Sequence, residues 1–442
     1  MKRILSPSRI LPISFLVVIF LGTILLLLPI SYKKSLSFID ALFTITSATC
    51  VTGLTVVDTG KTFTLFGQLI VLLCIQIGGL GLMTFSSLVA LFRGKSLSFR
   101  DRTIVVESFL PYPVRGVPNI IKQIFLYTFI IEFLGAFFLF MSFSKKFPLW
   151  DSIKLSIFHS VSAFCNAGFS LFSENLCSFR GDVLVNITII SLIFLGGIGF
   201  FSLKVITSFI LSKVKKQKFR FPLHFKIVFS TSLILILAGS ILFFLLEWNN
   251  TLKGFPLKEK VLASLFQAVT PRTAGFNTVN ISMINGATTL LLIALMFIGA
   301  SPGSTGGGIK TSTFFVILYQ VKSRLKGERE IFFSSRKIPR EIVSKAFMIF
   351  FLSLFITITM FFLILTFQEN ARFDVLLFEV ISAFGTVGLS KGITPFLNTI
   401  SKVIIMLTMF IGRVGQVTIF YSLKEPREVE GISYPEEKIM IG

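Results

Sequence analysis

Four short segments of the sequence share a pattern that could bind an ion through backbone oxygens. They read FTITSATCVTGLT from Phe43, FHSVSAFCNAGFS from Phe158, FQAVTPRTAGFNT from Phe266 and FEVISAFGTVGLS from Phe378. Each begins with Phe and ends with a glycine, a Leu or Phe, and a polar residue. The glycines are 115, 107 and 113 residues apart, at Gly53, Gly168, Gly275 and Gly388. This near-equal spacing indicates a fourfold internal repeat.

The chemistry of these segments follows from their glycines. Glycine adopts positive φ readily and presents its neighbouring carbonyl groups without an obstructing Cβ. Four such loops around one axis would form a ring of oxygens that replaces the hydration shell of a monovalent cation. The alternative is that the glycines merely break helices, which does not explain four similar neighbourhoods. The residues at and beside the glycines include no Asp or Glu, so strong selectivity for divalent ions is not predicted.

The composition identifies the environment of these motifs. Of the 442 residues, 53% are hydrophobic and 14% are charged, and the mean hydropathy is +0.85. Several apolar runs reach the roughly 20 residues that a helix needs to cross a bilayer core. These values exclude an ordinary soluble protein and predict a polytopic membrane protein.

The basic residues are distributed asymmetrically along the chain. Of 43 Lys and Arg residues, 26 lie in the N-terminus, in segments 93–122, 213–226 and 322–345, and in the C-terminal tail. The segments that alternate with these carry 14. This bias is the positive-inside pattern and places both termini in the cytoplasm. The excess charge could also contact anionic lipid headgroups, whereas no segment resembles a nucleic-acid-reading module.

Each repeat has the same predicted layout, which is an apolar helix, a short stretch that ends in the motif, and a second apolar helix. The predicted stretches are 11–30, 38–50 and 66–92; 121–143, 150–165 and 182–212; 225–247, 258–272 and 288–321; and 344–367, 373–385 and 397–423. The middle stretches are too short to span a bilayer and are predicted to be re-entrant half-helices. Their C-terminal dipole ends would point toward the pore and favour cations.

The predicted fold is therefore all-α, with four pseudo-symmetric repeats around a central pore. It has eight transmembrane helices and four re-entrant loops. The predicted repeats are residues 1–92, residues 93–212, residues 213–321 with a broken second helix, and residues 322–442 with a cytoplasmic tail. In the first two repeats, the equivalent glycines are predicted to allow close helix packing; they are Gly78, Gly79, Gly81, Gly196, Gly197 and Gly199.

A second unusual stretch reads GASPGSTGGGIKT, from Gly299 to Thr311, within an apolar run. Its glycines and proline cannot continue a helix cheaply, since each Gly costs about 1 kcal/mol and Pro about 3 kcal/mol. The second helix of the third repeat should therefore break at membrane depth.

Two basic residues lie in apolar runs beside this break. Arg413, in FIGRVGQ, aligns by repeat with segments at Ile77, Leu195 and Phe297. An ionisable group at this depth is a functional candidate. Arg413 could repel a waiting cation, anchor loop carbonyls or extend to the interface, and Lys310 could act in gating or likewise reach the interface.

The four motifs and this layout resemble the Trk/Ktr/HKT superfamily of potassium transporters over essentially the whole chain. Because the first helix begins near Ile10, the bacterial Ktr membrane subunit is the closer type. The resemblance implies that sixteen residues form the potassium filter: Val51, Thr52, Gly53, Leu54, Asn166, Ala167, Gly168, Phe169, Thr273, Ala274, Gly275, Phe276, Thr386, Val387, Gly388 and Leu389. It implies an intramembrane gate formed by Gly299, Gly303, Gly306, Gly307, Gly308, Lys310 and Arg413.

The same resemblance implies the function and the partners. These are potassium uptake across the bacterial cytoplasmic membrane, a homodimer, and a soluble regulatory ring that binds nucleotide on the cytoplasmic side. K⁺ is the transported ion, Na⁺ is a further candidate as activator or co-ion, and no covalent cofactor is expected. The open alternative is a sodium-permeable or weakly selective pathway. No constellation of catalytic side chains at membrane depth indicates an enzyme, and a scaffold would not need four loop motifs.

Overall fold

The computed structural model describes residues 7–81, 117–328, 330–369 and 371–423, and these are almost entirely helical. The helices are α1 (Pro7–Leu26), α2 (Phe38–Thr49), α3 (Thr59–Thr62), α4 (Leu65–Leu80), α5 (Val117–Phe143), α6 (Leu149–Phe164), α7 (Val183–Gly197), α8 (Phe200–Val214), α9 (Leu223–Glu247), α10 (Leu257–Val269), α11 (Gly286–Phe297), α12 (Thr311–Leu325), α13 (Arg340–Phe367), α14 (Phe373–Phe384), α15 (Thr399–Val414) and α16 (Gln416–Leu423). Most of segment 93–122 and the C-terminal tail, both predicted to be cytoplasmic, lie outside the described residues.

Four of these helices, α1, α5, α9 and α13, are long and apolar enough to cross a membrane. They expose large apolar side chains, including Phe20, Phe133, Leu245 and Phe355, because water is not the solvent that these faces meet. Their positions agree with the first helix predicted for each repeat. The chain is therefore a helical polytopic membrane protein.

Four shorter helices, α2, α6, α10 and α14, pack inside the long ones and are largely buried. Each has an acidic residue in its first turn, where it complements the positive end of the helix dipole; these are Asp40, Asp151, Glu259 and Asp374. The C-terminal ends of the four helices lead into the four sequence motifs, so these helices orient the motif segments.

The second helices of the second, third and fourth predicted repeats are interrupted, which corrects the prediction of continuous helices over 182–212 and 397–423. The helix pair α7 and α8 bends by 106° at residues 198–199, and α15 ends before Gly415. Gly199 and Gly415 have φ of 91° and 93°, which an α-helix does not accommodate. Gly81 also ends its helix, at φ 82°, and the continuation predicted to residue 92 lies outside the described residues.

The glycines three residues before these breaks do pack closely. A methyl carbon placed on Gly78, Gly196 or Gly412 would lie 2.0, 1.9 or 2.0 Å from a backbone oxygen at the end of the neighbouring short helix. Close packing therefore explains the first glycine of each segment, and Gly199 also packs closely, on the oxygen of Pro302. Gly81 caps the end of α4, and Gly199 caps the start of α8.

A two-stranded hairpin departs from the all-α prediction. Strands β1 (Ile331–Phe333) and β2 (Arg336–Ile338) pair antiparallel, with Ile331 opposite Ile338. Ser334 and Ser335 form the turn at φ of 52° and 60°, the left-handed values that suit a two-residue hairpin. Ile331 and Ile338 pack in one cluster with Phe315 of α12, so the hairpin packs against that helix.

Candidate ion-binding site

The chain makes the same turn after each short helix. We call residues 50–54, 165–169, 272–276 and 385–389 the first to fourth motif loops. In each, a residue two positions before the glycine has positive φ; these are Val51 (56°), Asn166 (58°), Thr273 (73°) and Thr386 (50°). Such values are unusual for residues with a Cβ and persist only where surrounding contacts hold them. The repeated strain indicates that the turn geometry itself is required.

The four motif glycines come together as a closed ring, which we call the glycine ring. A methyl carbon on Gly53 would lie 2.4 Å from the carbonyl oxygen of Ala167 in the second loop. A methyl carbon on Gly168 would lie 2.9 Å from the carbonyl oxygen of Ala274, and one on Gly275 would lie 2.5 Å from that of Val387. One on Gly388 would lie 2.1 Å from the carbonyl oxygen of Thr52. Each loop thus touches the next, the fourth returns to the first, and no side chain fits between them.

The apolar side chains of the motif loops pack in the hydrophobic core around the ring. Fifteen of the sixteen predicted filter residues are buried and Gly388 is half-buried, and the side chains of Val51, Ala167, Phe276 and Val387 have no solvent exposure. A cavity of about 1020 Å³, which we call the vestibule, is lined in part by all four ring glycines. Backbone carbonyl groups are therefore the available ligands at the ring, and a cation is what they could coordinate.

Hydroxyl groups at equivalent positions hold the motif loops. In the first and fourth loops, Ser47 and Ser382 accept hydrogen bonds from the backbone N–H of Gly53 and Gly388, at 3.0 and 3.1 Å. In the second and third, Ser162 and Thr270 donate to the carbonyl oxygens that follow the glycine, at 2.8 and 2.5 Å. The Ser or Thr of each motif thus fixes backbone geometry, a role that the sequence reading did not assign.

The glycine-rich stretch runs beneath the glycine ring as a loop between α11 and α12, which we call the α11–α12 loop (residues 298–310). The N–H of Gly307 donates to Thr386 Oγ1 at 2.9 Å. Gly306 packs so closely on Thr273 that a methyl carbon there would lie 2.1 Å from Thr273 Oγ1. Thr305 Oγ1 lies 3.2 Å from the side-chain amide of Asn166. The loop therefore contacts three of the four motif loops.

The other predicted gate glycines shape the loop itself. Gly299 packs against Gly307 and Gly308, where a methyl carbon on Gly299 would lie 2.2 Å from the Gly307 oxygen. Gly303 accepts a hydrogen bond from the N–H of Phe200, at 2.9 Å, and so joins the loop to the start of α8. Lys310 donates to the carbonyl of Gly306 at 2.7 Å, within the same loop.

Arg413 lies where two backbone segments meet. Its guanidinium donates to the carbonyl oxygens of Thr305 in the α11–α12 loop and of Gly78 in α4, and also to that of Gly79 at 3.3 Å. Among the described residues, no ion pair joins Arg413 to an acidic side chain. Its five donors and fixed charge suit this capture of several carbonyl groups.

The sequence reading missed an acidic residue in the fourth motif. Glu379 directly follows the motif Phe378, is completely buried, and accepts a hydrogen bond from Thr394 Oγ1. Near the start of the same helix, Lys391 pairs with Asp374 at 2.9 Å and holds the pKa of that carboxyl below its usual value. The residue after the motif Phe is polar in all four copies, and Glu379 is the acidic one; this pattern is the signal in the sequence that could have identified it. The other three residues are Thr44, His159 and Gln267.

Comparisons with known proteins agree with this architecture. The TrkH family, described as a cation transport protein family, matches residues 3–426. The chain is 42% identical to the Ktr system potassium uptake protein B of Bacillus subtilis, over 99% of this chain and 97% of that protein. It is 36% identical to the potassium/sodium uptake protein NtpJ of Enterococcus hirae, over 100% and 98% of the two chains.

A solved structure shows the same fold. The crystal structure of the potassium transporter TrkH from Vibrio parahaemolyticus matches with a TM-score of 0.73 at 17% identity. The match covers 94% of this chain and 85% of that one. With the family match over nearly its whole length, the chain belongs to the TrkH family of cation transport proteins and is a transporter, not an enzyme.

Proposed function

We propose that this protein takes up potassium through the glycine ring. The single observation that carries the proposal is the closure of the ring, in which four loops from distant parts of the chain touch in the order first, second, third, fourth, first. Buried side chains leave carbonyl oxygens as ligands for a dehydrated monovalent cation. The names of the Bacillus subtilis and Vibrio alginolyticus relatives, both potassium uptake proteins, support potassium as the ion.

The proposed architecture is four pseudo-symmetric repeats with eight membrane crossings and four re-entrant motif loops. The four long helices provide one crossing in each repeat, and the helix that follows each motif provides the other. The positive-inside bias supports a bacterial cytoplasmic membrane location with both termini in the cytoplasm. The vestibule then faces outward, and the α11–α12 loop lies on the cytoplasmic side of the ring.

The second candidate function is a pathway that also passes sodium. The name of the Enterococcus hirae relative, a potassium/sodium uptake protein, favours it. The four motif loops have different sequences, VTGL, NAGF, TAGF and TVGL, so the ring departs from strict fourfold symmetry. We expect weaker discrimination than in a symmetric channel, with Na⁺ as an activator or co-ion.

The α11–α12 loop is the proposed gate. It contacts three motif loops from beneath, and Arg413 and Lys310 donate hydrogen bonds to its carbonyl groups. A cation that leaves the ring inward would meet both the loop and the Arg413 charge, and opening would require the loop to move.

Two partners complete the proposal, a second copy of the chain and a soluble nucleotide-binding regulator. The last turn of α12 carries Lys322 and Arg324, and Lys326 caps it. This group offers a basic surface on the cytoplasmic side, and contacts there should weaken with salt because exposed charges are screened beyond about 8 Å at physiological ionic strength.

Potassium-limited growth of a host that lacks its own uptake systems tests the function, with and without a co-expressed regulator. Ion flux in vesicles then compares K⁺ with Na⁺. Gly53→Ser and Gly388→Ser should lower the preference for K⁺, since a side chain at either position meets a backbone oxygen of the next loop. Gly392→Ser is the matched control, because Gly392 also has positive φ (92°) but nothing within 4 Å of an added carbon. Unchanged ion preference in both ring variants would contradict the proposed filter.

A further inference from the structure

Glu379 has no role in the pathway described so far, although it lies directly behind the fourth motif loop. It occupies the second turn of α14, nine residues before Gly388. Thr394 Oγ1 donates to its carboxylate and lies 3.0 Å from Ser390 Oγ, which in turn accepts from the N–H of Gly392 at 2.9 Å. Ser390 lines the vestibule two residues after the ring glycine. The carboxylate is thus joined to the outer end of the fourth loop by two successive side-chain contacts.

A negative charge on Glu379 would have no basic side chain among the described residues to compensate it. Its second carboxylate oxygen is buried without a hydrogen-bond partner. Among the described residues, no ion pair joins Glu379 to a basic side chain, and Lys391 is engaged by Asp374 and Thr289. An ionised carboxylate buried without a partner is costly unless a positive charge lies nearby. A cation at the glycine ring or in the vestibule would supply such a charge.

The equivalent positions in the other three motifs are also buried but bring no acidic group. Thr44 donates to its own helix, and His159 lies 3.0 Å from Ser170 Oγ. Gln267 is completely buried and its side-chain amide has no hydrogen-bond partner. The third motif therefore shows that an amide of the same size as Glu is accommodated at this position.

We propose that Glu379 determines potassium affinity by placing a buried negative charge behind the outer end of the glycine ring. This rests on the proposed function of the ring. Two extended residues separate Gly388 from Ser390, which is about 7 Å, so the carboxylate lies on the order of 10 Å from a bound ion. At an effective dielectric constant of about 20, a unit charge at this distance changes a binding constant by roughly tenfold.

The test is the KM and kcat for K⁺ flux of the full-length protein in vesicles. Glu379→Gln removes the charge and keeps the shape, and it should raise the KM about five- to tenfold while kcat changes less than about twofold. Glu379→Asp keeps the charge and should leave the KM within about threefold of wild type. An unchanged KM in Glu379→Gln, or an equal rise in both variants, would overturn the proposal.

Gln267→Glu provides a test that does not depend on Glu379→Gln folding. It adds a carboxylate behind the third motif loop and should lower the KM about threefold, and an unchanged KM would again overturn the proposal. The failure of the proposed function looks different. In that case the wild-type protein itself carries no potassium flux, whereas failure of this inference leaves wild-type flux intact and the KM insensitive to charge at residues 267 and 379.

Discussion

Two breaks in the apolar helices, one short and one long, have different structural consequences. Between α7 and α8 the chain turns by 106° over residues 198–199 and immediately resumes a helix. Between α11 and α12 it leaves the helix for residues 298–310. The short break changes the direction of the helix. Because it contains only two residues, it cannot extend beneath the glycine ring. The long break supplies enough backbone to reach three motif loops.

The two breaks also hold each other in place. The N–H groups of Ser301 and Thr305 in the long break donate to the carbonyl oxygens of Gly197 and Gly196, at 3.0 and 3.3 Å. Gly199 lies so close to the long break that a methyl carbon on it would be 2.5 Å from the Pro302 oxygen. The terminal carbonyl groups of α7 thus bind the α11–α12 loop. The proposed gate is therefore held by hydrogen bonds to α7 as well as to the motif loops.

The largest effect is expected when the α11–α12 loop, the longer of the two breaks, is shortened. Deletion of Ser304–Gly308 removes the residues that contact the motif loops, and we expect flux per folded protein to rise about tenfold or more, as expected for a barrier lowered by about 1.4 kcal/mol or more. Ion flux in vesicles, normalised to folded protein, measures it. If the loop were only a structural linker, the deletion would reduce folded protein and flux together.

Removal of the anchor should have a smaller effect in the same direction. Arg413→Ala frees the carbonyl oxygens of Thr305 and Gly78 and removes a positive charge beneath the ring, so flux without the regulator should rise about three- to tenfold. Arg413→Lys keeps the charge without the planar fork of donors, so its flux should lie between that of wild type and that of Arg413→Ala. Flux no faster than wild type in a folded Arg413→Ala protein would rule out the anchor role.

The short break can be tested with two matched glycines. Gly199 and Gly415 have nearly the same φ, 91° and 93°, but a carbon added to Gly415 meets only Thr418 Oγ1 at 3.8 Å. Alanine at either site should cost about 1–2 kcal/mol for the left-handed backbone. Gly199→Ala should cost about 1–3 kcal/mol more, because it also displaces the α11–α12 loop. Thermal unfolding in detergent measures the difference, and equal losses in the two variants would show that the breaks are not packed against each other.

The smallest expected effect concerns a single side chain of the long break. Thr305→Val removes the hydroxyl that lies 3.2 Å from the Asn166 amide and 3.3 Å from the Phe164 oxygen. We expect a loss of about 1 kcal/mol in loop docking, and hence roughly a two- to fivefold rise in flux. Ser304→Ala is the control, since Ser304 Oγ has no hydrogen-bond partner. Equal flux in the two variants would mean that Thr305 does not hold the loop.

Much of this organisation could be predicted from the sequence because its signals are local. The four first helices fall within a few residues of their predicted bounds, since long apolar runs have few alternatives. The break after Phe297 was visible in its glycines and proline. The breaks at Gly199 and Gly415 were not, because glycines inside an apolar run are also compatible with close packing of a continuous helix. The hairpin at residues 331–338 was too short to show a clear alternating pattern.

The sequence by itself determined the membrane setting, the four motifs and the place of the long break. Only the tertiary structure decided which loop touches which, that Arg413 reaches Gly78 across 335 residues, and that Glu379 is buried without a second partner. The physical reason is that the proposed ligands of this site, and the groups that Arg413 contacts, are backbone carbonyl groups. Every residue carries one, so residue types cannot tell which carbonyls meet, and the packing of the helices must place them.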